Sequence, residues 1–170
     1  MRDPWFERTL ILLCQHDEDG SLGLVINRES DVDLQEVIEK LTEEHGDFGE
    51  LMDGNRKTWW GGPVGDGAGF VLFPGAVEDG EGWAIDGVAV SPSLERLEKL
   101  IRSKADFQLC LGYAGWGPGQ LAEEIETGSW VPVDVDRKIV FDTPLEERYD
   151  KALAQLGVQP NMVWMQPINE

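Results

Sequence analysis

The stretch DFQLCLGYAGWGPGQLAEEI, residues 106–125, constrains the fold more than any other part of the chain. Its first half is an apolar run long enough for a strand. Gly117, Pro118 and Gly119 then force a sharp corner, and the polar–apolar spacing after them is that of a helix. Pro118 has its backbone angle preset and lacks an N–H that would be unpaired at a helix start. Leu121, Ala122 and Ile125 are expected to face inward, and Gly128 to stop the helix. A chain built around this unit places a buried strand directly against a short acidic helix.

Such a corner raises the question of phosphate binding. Phosphate cradles use free backbone N–H groups and a Lys or Arg. Here Pro118 removes a donor, no basic residue lies between Gly112 and Trp130, and Glu123 and Glu124 sit at the start of the helix. The segment reads as a tight turn, with the edges of Tyr113, Trp116 and Gln120 open to a neutral ligand or a protein. The second glycine cluster, GGPVGDGAG, follows neither the P-loop nor the dinucleotide pattern and reads as a corner-turning loop.

The remaining chain mixes hairpins with helices. RTLILLC is nearly continuously apolar and reads as a strand covered on both faces. QHDEDG is a turn, and SLGLVIN a second strand of the same hairpin, with Gly23 marking a bulge or a close backbone approach. DLQEVIEKLTEEH is an amphipathic helix with Asp31 or Asp33 as cap. TWW and GFVLF are strand-like. VEDGEG, residues 77–82, reads as an exposed acidic hairpin tip, and WAIDGVAV as one strand. SPSLERLEKLIRS is a helix capped by Ser91 with Pro92 in its first turn and Leu94, Leu97, Leu100 and Ile101 buried. SWVPVDV and RKIVF read as short strands. TPLEERYDKALAQLG is a last helix, capped by Thr143 and stopped by Gly157. This order favours α+β over a doubly wound sheet. The expected organisation is one domain, residues 1–158, and a Pro-broken tail, 159–170.

Charge bears on partners. Thirty-three Asp and Glu against 14 Lys and Arg leave a formal net of −19. Nucleic-acid affinity comes largely from Lys and Arg on phosphates. No basic patch is visible along the sequence, so direct DNA binding is not expected, whereas a basic protein partner is compatible. No apolar stretch approaches bilayer length, and MRDPWFERTL has charges where a signal peptide needs an apolar run. A cytoplasmic protein without membrane contact is expected.

Chemistry is thin. Cys14 and Cys110 lie in apolar runs and read as reduced, inert thiols. Cys14 and His16, two residues apart, are a weak candidate thiolate–imidazole pair. His16 and His45 are far apart. A calcium loop at QHDEDGSLGLVI fails because its final carboxylate position is Ile26. No catalytic residue, cofactor or metal is expected.

FERTLILLCQHDEDGSLGLVINR, WWGGPV, GFVLF, LGYAGWGPGQLAEEIETGSWVPV and IVFDTPLEERYDKALAQLG, in that order, resemble the landmarks of the AlgH/YqgE family of bacterial proteins. The resemblance spans residues 3–157, and Gly-Trp-Gly-Pro-Gly-Gln-Leu is its most specific landmark. It implies a mixed, bifurcated β-sheet curled into a partial barrel with about four flanking helices. It also implies a cytosolic protein of unsettled activity, labelled a transcriptional regulator by association with alginate control. Many family members have an extra apolar strand upstream of the DPWF equivalent, so either the start of this sequence is misassigned or a sheet edge is open. They commonly have Glu where this chain has Ala122, and often His where it has Phe73, which argues against a shared enzymatic mechanism. The expected reading is a non-enzymatic regulatory protein acting through a protein partner. Its contact surface would comprise Asn27, Gly61, Gly62, Pro63, Trp116, Gly117, Gln120 and Trp130. The alternative is an enzyme or small-molecule-binding protein with a pocket at the same corners.

Overall fold

The computed structural model describes residues 8–51 and 56–156. Eight strands and five α-helices follow one another as β1 (Ile11–Asp17), β2 (Gly20–Val25), β3 (Glu29–Asp33), α1 (Leu34–His45), β4 (Lys57–Trp60), β5 (Val64–Pro74), β6 (Trp83–Ile85), β7 (Val88–Ser91), α2 (Leu94–Arg102), β8 (Gln108–Trp116), α3 (Gln120–Glu126), α4 (Arg137–Phe141) and, after a 3₁₀ turn, α5 (Arg148–Ala154). The strands form one sheet with the order β1-β2-β8-β5-β7-β6, curled so that β1 approaches β6 and the barrel nearly closes.

The expected bifurcation occurs at β8. One edge of β8 pairs antiparallel with β5. Along its other edge it pairs first with β4, in parallel at Trp59↔Cys110, and then with β2, antiparallel at Ser21↔Trp116. The α+β class and the nearly closed, forked sheet match the expectation. The count of flanking helices is one higher, because RKIVF is α4 and not a strand. Asp136 explains the difference: its side chain accepts from the Lys138 N–H and caps a turn that apolar residues alone did not announce.

Side-chain alternation shows why GFVLF and LCL are continuously apolar. Val71, Phe73, Ala89 and Leu109 face α1 and α2, where they meet Leu34, Ile38, Leu97 and Ile101. Phe70, Leu72, Val88, Val90 and Cys110 face the barrel interior with Leu24, Trp59 and Val140. Strands with both faces covered require this pattern. β1 does not share it. Among the described strands it lies at the edge of the sheet order, beginning three residues later than Arg8, and Leu13 is 37% exposed.

Other expectations change in the fold. WAIDGVAV is not one strand but the β6–β7 hairpin, turning at Asp86 (φ 48°) and Gly87 (φ 87°). Both turn residues have the positive φ of a type I′ turn, for which Asp-Gly is a preferred pair. VEDGEG is consequently not a hairpin tip. It bridges β5 to β6 past the intervening β7, and Glu81 turns inward to a two-pronged ion pair with Arg96 at 2.8 Å. The glycine-rich corner before β5 is only residues 61–63, and GDGAG already belongs to the bulged start of that strand.

Caps differ as well. Ser93, not Ser91, caps α2 by accepting from the Arg96 N–H, while Ser91 is fully buried and accepts from the Ser93 N–H. Leu94 is 40% exposed. Asp33 occupies the N-cap of α1 but directs its carboxylate to Lys57 at 2.9 Å. Thr143 does not cap α5: its hydroxyl donates to the Lys138 carbonyl. Gly157 and the tail at 159–170 lie outside the described residues.

Candidate functional site

The eight expected contact residues do not form one surface. Asn27 is an internal clamp. Its Oδ1 accepts from the Leu10 N–H and its Nδ2 donates to the Arg8 carbonyl, each at 2.9 Å, tying the start of β1 to the end of β2. Gly61 and Gly62 are buried against β8. A Cβ on Gly61 would lie 2.3 Å from the Gly112 oxygen, and one on Gly62 2.2 Å from the Tyr113 carbonyl carbon. Backbone meets backbone there, so these glycines exist for close approach rather than for a guest. Pro63 is exposed beside them.

Trp116, Gly117, Gln120 and Trp130 do come together, around a residue outside the expected set. Glu124 Oε1 accepts both indole N–H groups, from Trp116 at 3.2 Å and Trp130 at 2.8 Å. Glu124 Oε2 accepts from Gln120 Nε2, and Gln120 Oε1 accepts from the Gly117 N–H. The two indole rings meet edge to face at 5.9 Å. Glu124 was legible as the residue four positions after Gln120, one helical turn on, but its indole partners became visible only in three dimensions. Within the turn the Gly117 N–H is thus taken by Gln120 Oε1 and the Gln120 N–H by the Gly117 carbonyl. Ala122 is exposed, contrary to expectation; Leu121 alone of this helix is fully inside. Trp116 pairs with Ser21 at one end of β2, and Asn27 lies past the other end, about 20 Å away along the strand.

The thiols stand apart from any base. Burial pushes the Cys14 thiol up to about 12 and raises that of Cys110 further. His16 faces Ser21, with Nδ1 2.6 Å from Oγ, and a bulge between Leu13 and Gln15 breaks the alternation that would align it with Cys14. Among the described residues no group of three or more His, Cys, Asp or Glu is arranged to hold a metal.

A cleft of about 620 Å³ opens elsewhere, between the end of α2 and the α4–α5 segment. None of the eight expected residues lines it. Four cations do, each from a different segment: Arg56 ahead of β4, Lys104 after α2, Arg137 at the start of α4 and Arg148 at the start of α5. The sequence showed no basic patch; the fold assembles one. Apolar side chains including Leu100, Ile101, Val140 and Phe141 complete the walls, with Asp106 and Asp142 as the acidic members.

Arg148 is the most constrained of these cations. It is 6% exposed, its Nη1 donates to the Ile26 carbonyl, its Nε donates to the Thr143 carbonyl at 3.0 Å, and its guanidinium stacks over Trp59 at 4.3 Å. Burial lowers its pKa to about 10, so it keeps its charge at neutral pH. No ion pair joins Lys104, Arg137 or Arg148 to a carboxylate among the described residues. A buried charge without a counter-ion is costly. Arg56 is held in the same manner as Arg148, donating to the Phe107 carbonyl at 2.7 Å with its guanidinium 4.7 Å from that ring. Lys104 occupies the left-handed region at φ 56°, where a helix end favours glycine. The Lys104 and Ala105 N–H groups donate to the Ile101 and Leu100 carbonyls and close the end of α2.

Comparison with known proteins places the chain in a family. A UPF0301 protein of Burkholderia cenocepacia is 40% identical over 168 residues, covering 96% of this chain and 86% of the relative. A UPF0301 protein of Idiomarina loihiensis is 38% identical over 164 residues, covering 92% and 85%. The solution structure of the AlgH protein from Pseudomonas aeruginosa superposes with a TM-score of 0.77 at 35% identity, covering 98% of this chain and 88% of that one. A crystal structure of a Corynebacterium diphtheriae protein shares the fold at TM-score 0.69 and 21% identity, covering 96% and 85%. The family described as AlgH-like (DUF179) matches residues 1–161. With its forked sheet, its landmark Gly-Pro-Gly corner and relatives at this identity, the chain belongs to the AlgH-like family.

Proposed function

We propose that this protein is a binding protein of regulatory role, not a catalyst, and that it takes a small anionic molecule in the cleft between α2 and α4–α5. One observation carries the reading: in a chain of net −19, three cations without a carboxylate ion pair among the described residues line one concave site, and one of them is buried. Pockets of this size bury most of a small ligand and use a few convergent polar groups for specificity. Negative charge elsewhere on the protein opposes anions at long range, so a compact ligand in the cleft is favoured over an extended polyanion. The protonated, buried thiols support binding over nucleophilic chemistry.

A basic protein partner is the second reading, favoured by the charge itself. Four of the 14 Lys and Arg lie in the cleft, so the exterior is more acidic than the composition suggests. Such a partner suits a regulatory role exercised without direct DNA contact.

Thermal unfolding in low salt with and without a panel of small anions tests the proposal. A ligand at a hundred times its Kd adds about 2.7 kcal/mol. Lys104→Gly separates binding from folding. It relieves left-handed strain of about 1 kcal/mol and removes a cleft charge, so the variant melts higher yet responds less to the anion. A panel in which no small anion raises the melting temperature overturns the reading.

A further inference from the structure

The make-up of the cleft narrows the ligand further. Resting on the anion-binding reading above, we infer that the ligand is a phosphate monoester on a hydroxylated, ring-bearing body, the chemistry of a nucleoside monophosphate.

Four cations reach the site from four segments. A carboxylate offers two oxygens to such a set, whereas a phosphate monoester offers three strong acceptors and a charge of roughly −1.5 to −2. Arg148 is oriented for that task. Its stack on Trp59 and its bonds to the Ile26 and Thr143 carbonyls hold the guanidinium plane, and they leave Nη2 without a hydrogen bond among the described residues. A guanidinium held in this way loses little freedom on meeting an oxyanion. Arg137 crosses the β6–β7 turn, where its Cδ would meet a Cβ on Gly87 at 3.2 Å, so its stem too has a fixed bed.

The charge balance sets an upper limit. Counted by residue, Arg56, Lys104, Arg137 and Arg148 against Asp106 and Asp142 leave the lining at no more than +2, so it compensates at most one dianion. A triphosphate or a nucleic acid carries more charge than the lining compensates, in a protein that repels the remainder.

The rest of the cleft describes the body of the ligand. Leu51, Pro74, Leu100, Ile101 and Phe141 form apolar wall that inorganic phosphate would leave uncovered. Asp106 and Asp142, exposed at the same site, are acceptors for hydroxyl or ring N–H donors. A ribose and a planar base meet both requirements. About 620 Å³ also accommodates a body of that size.

Calorimetric titration decides the matter. The probes are the four ribonucleoside 5′-monophosphates measured singly, with adenosine, inorganic phosphate, succinate, ATP and a short DNA duplex beside them. At least one monophosphate is expected to bind tenfold or more tightly than adenosine, inorganic phosphate, succinate or ATP, and the duplex not at all. Arg137→Ala and Lys104→Gly should each weaken it about tenfold while leaving the cooperative melt intact. Succinate binding as well as the best monophosphate overturns the phosphate-monoester inference and leaves the anion-binding reading standing. Adenosine binding as well as its monophosphate, or both variants binding as the parent does, removes the cationic lining from recognition. Binding of none of the probes overturns both readings.

Discussion

Replacing Glu124 by alanine takes one carboxylate from three donors at once. Oε1 serves the indoles of Trp116 and Trp130, and Oε2 serves Gln120. The cost differs for each. Trp116 is 8% exposed, so its N–H has little access to water; a stranded buried donor costs about 1–3 kcal/mol. Trp130 is half-buried and Gln120 exposed, so their donors are rehydrated at little net loss, together about 0.5 kcal/mol. Glu124→Ala should therefore destabilise by roughly 1.5–3.5 kcal/mol. Glu124→Gln keeps an acceptor for the indoles and loses only charge assistance, costing about 1 kcal/mol. Guanidinium unfolding followed by tryptophan emission measures both. The midpoints should fall in the order parent, Gln, Ala with the slope unchanged, as is expected when stability alone is altered. Equal midpoints for alanine and glutamine, or an alanine cost below about 0.5 kcal/mol, would refute the claim that this carboxylate holds the corner together.

Three further outcomes follow from the structure. The Arg96 guanidinium beside Glu81 holds its carboxyl down to about 2, so the stability this pair supplies is full above the ordinary carboxylate range and is lost as pH falls toward 2; urea midpoints of the parent and Glu81→Gln should converge between pH 5 and pH 2.5. Burial keeps both thiols protonated, so iodoacetamide at pH 8 should label neither Cys14 nor Cys110 in the folded protein and both in denaturant; rapid labelling of folded Cys14 would show a reactive thiol. Gly87→Ala imposes a side chain at φ 87° and 3.2 Å from Arg137 Cδ, with an expected loss of about 1–2 kcal/mol in thermal melts and weaker anion binding through displacement of Arg137.

The elements with strong local signals were legible. Both long amphipathic helices, the β1–β2 hairpin, the strand at β8 and the corner after it follow from spacing, glycine and proline. Where the reading failed, a short-range signal was outweighed or missed. RKIVF has the residues of a strand, but Asp136 caps it into a helix. Asp86–Gly87 is a hairpin turn inside what looked like one alternating strand. The eight expected contact residues lie apart for another reason. Asn27, Gly61 and Gly62 are distinctive because the backbone requires them, and a residue that the fold requires looks, in one sequence, like a residue that a ligand requires.

Composition and local pattern alone determined the α+β class, the acidic character of the chain and the placing of its cysteines within apolar runs. Those properties depend on neighbours within a few residues or on sums over the chain. Only the tertiary structure decided where positive charge collects. Arg56, Lys104, Arg137 and Arg148 span 92 positions of sequence and converge because the start of β4, the end of α2 and the starts of α4 and α5 meet around one cleft. Electrostatic potential follows distance in space, and no count along a chain records it.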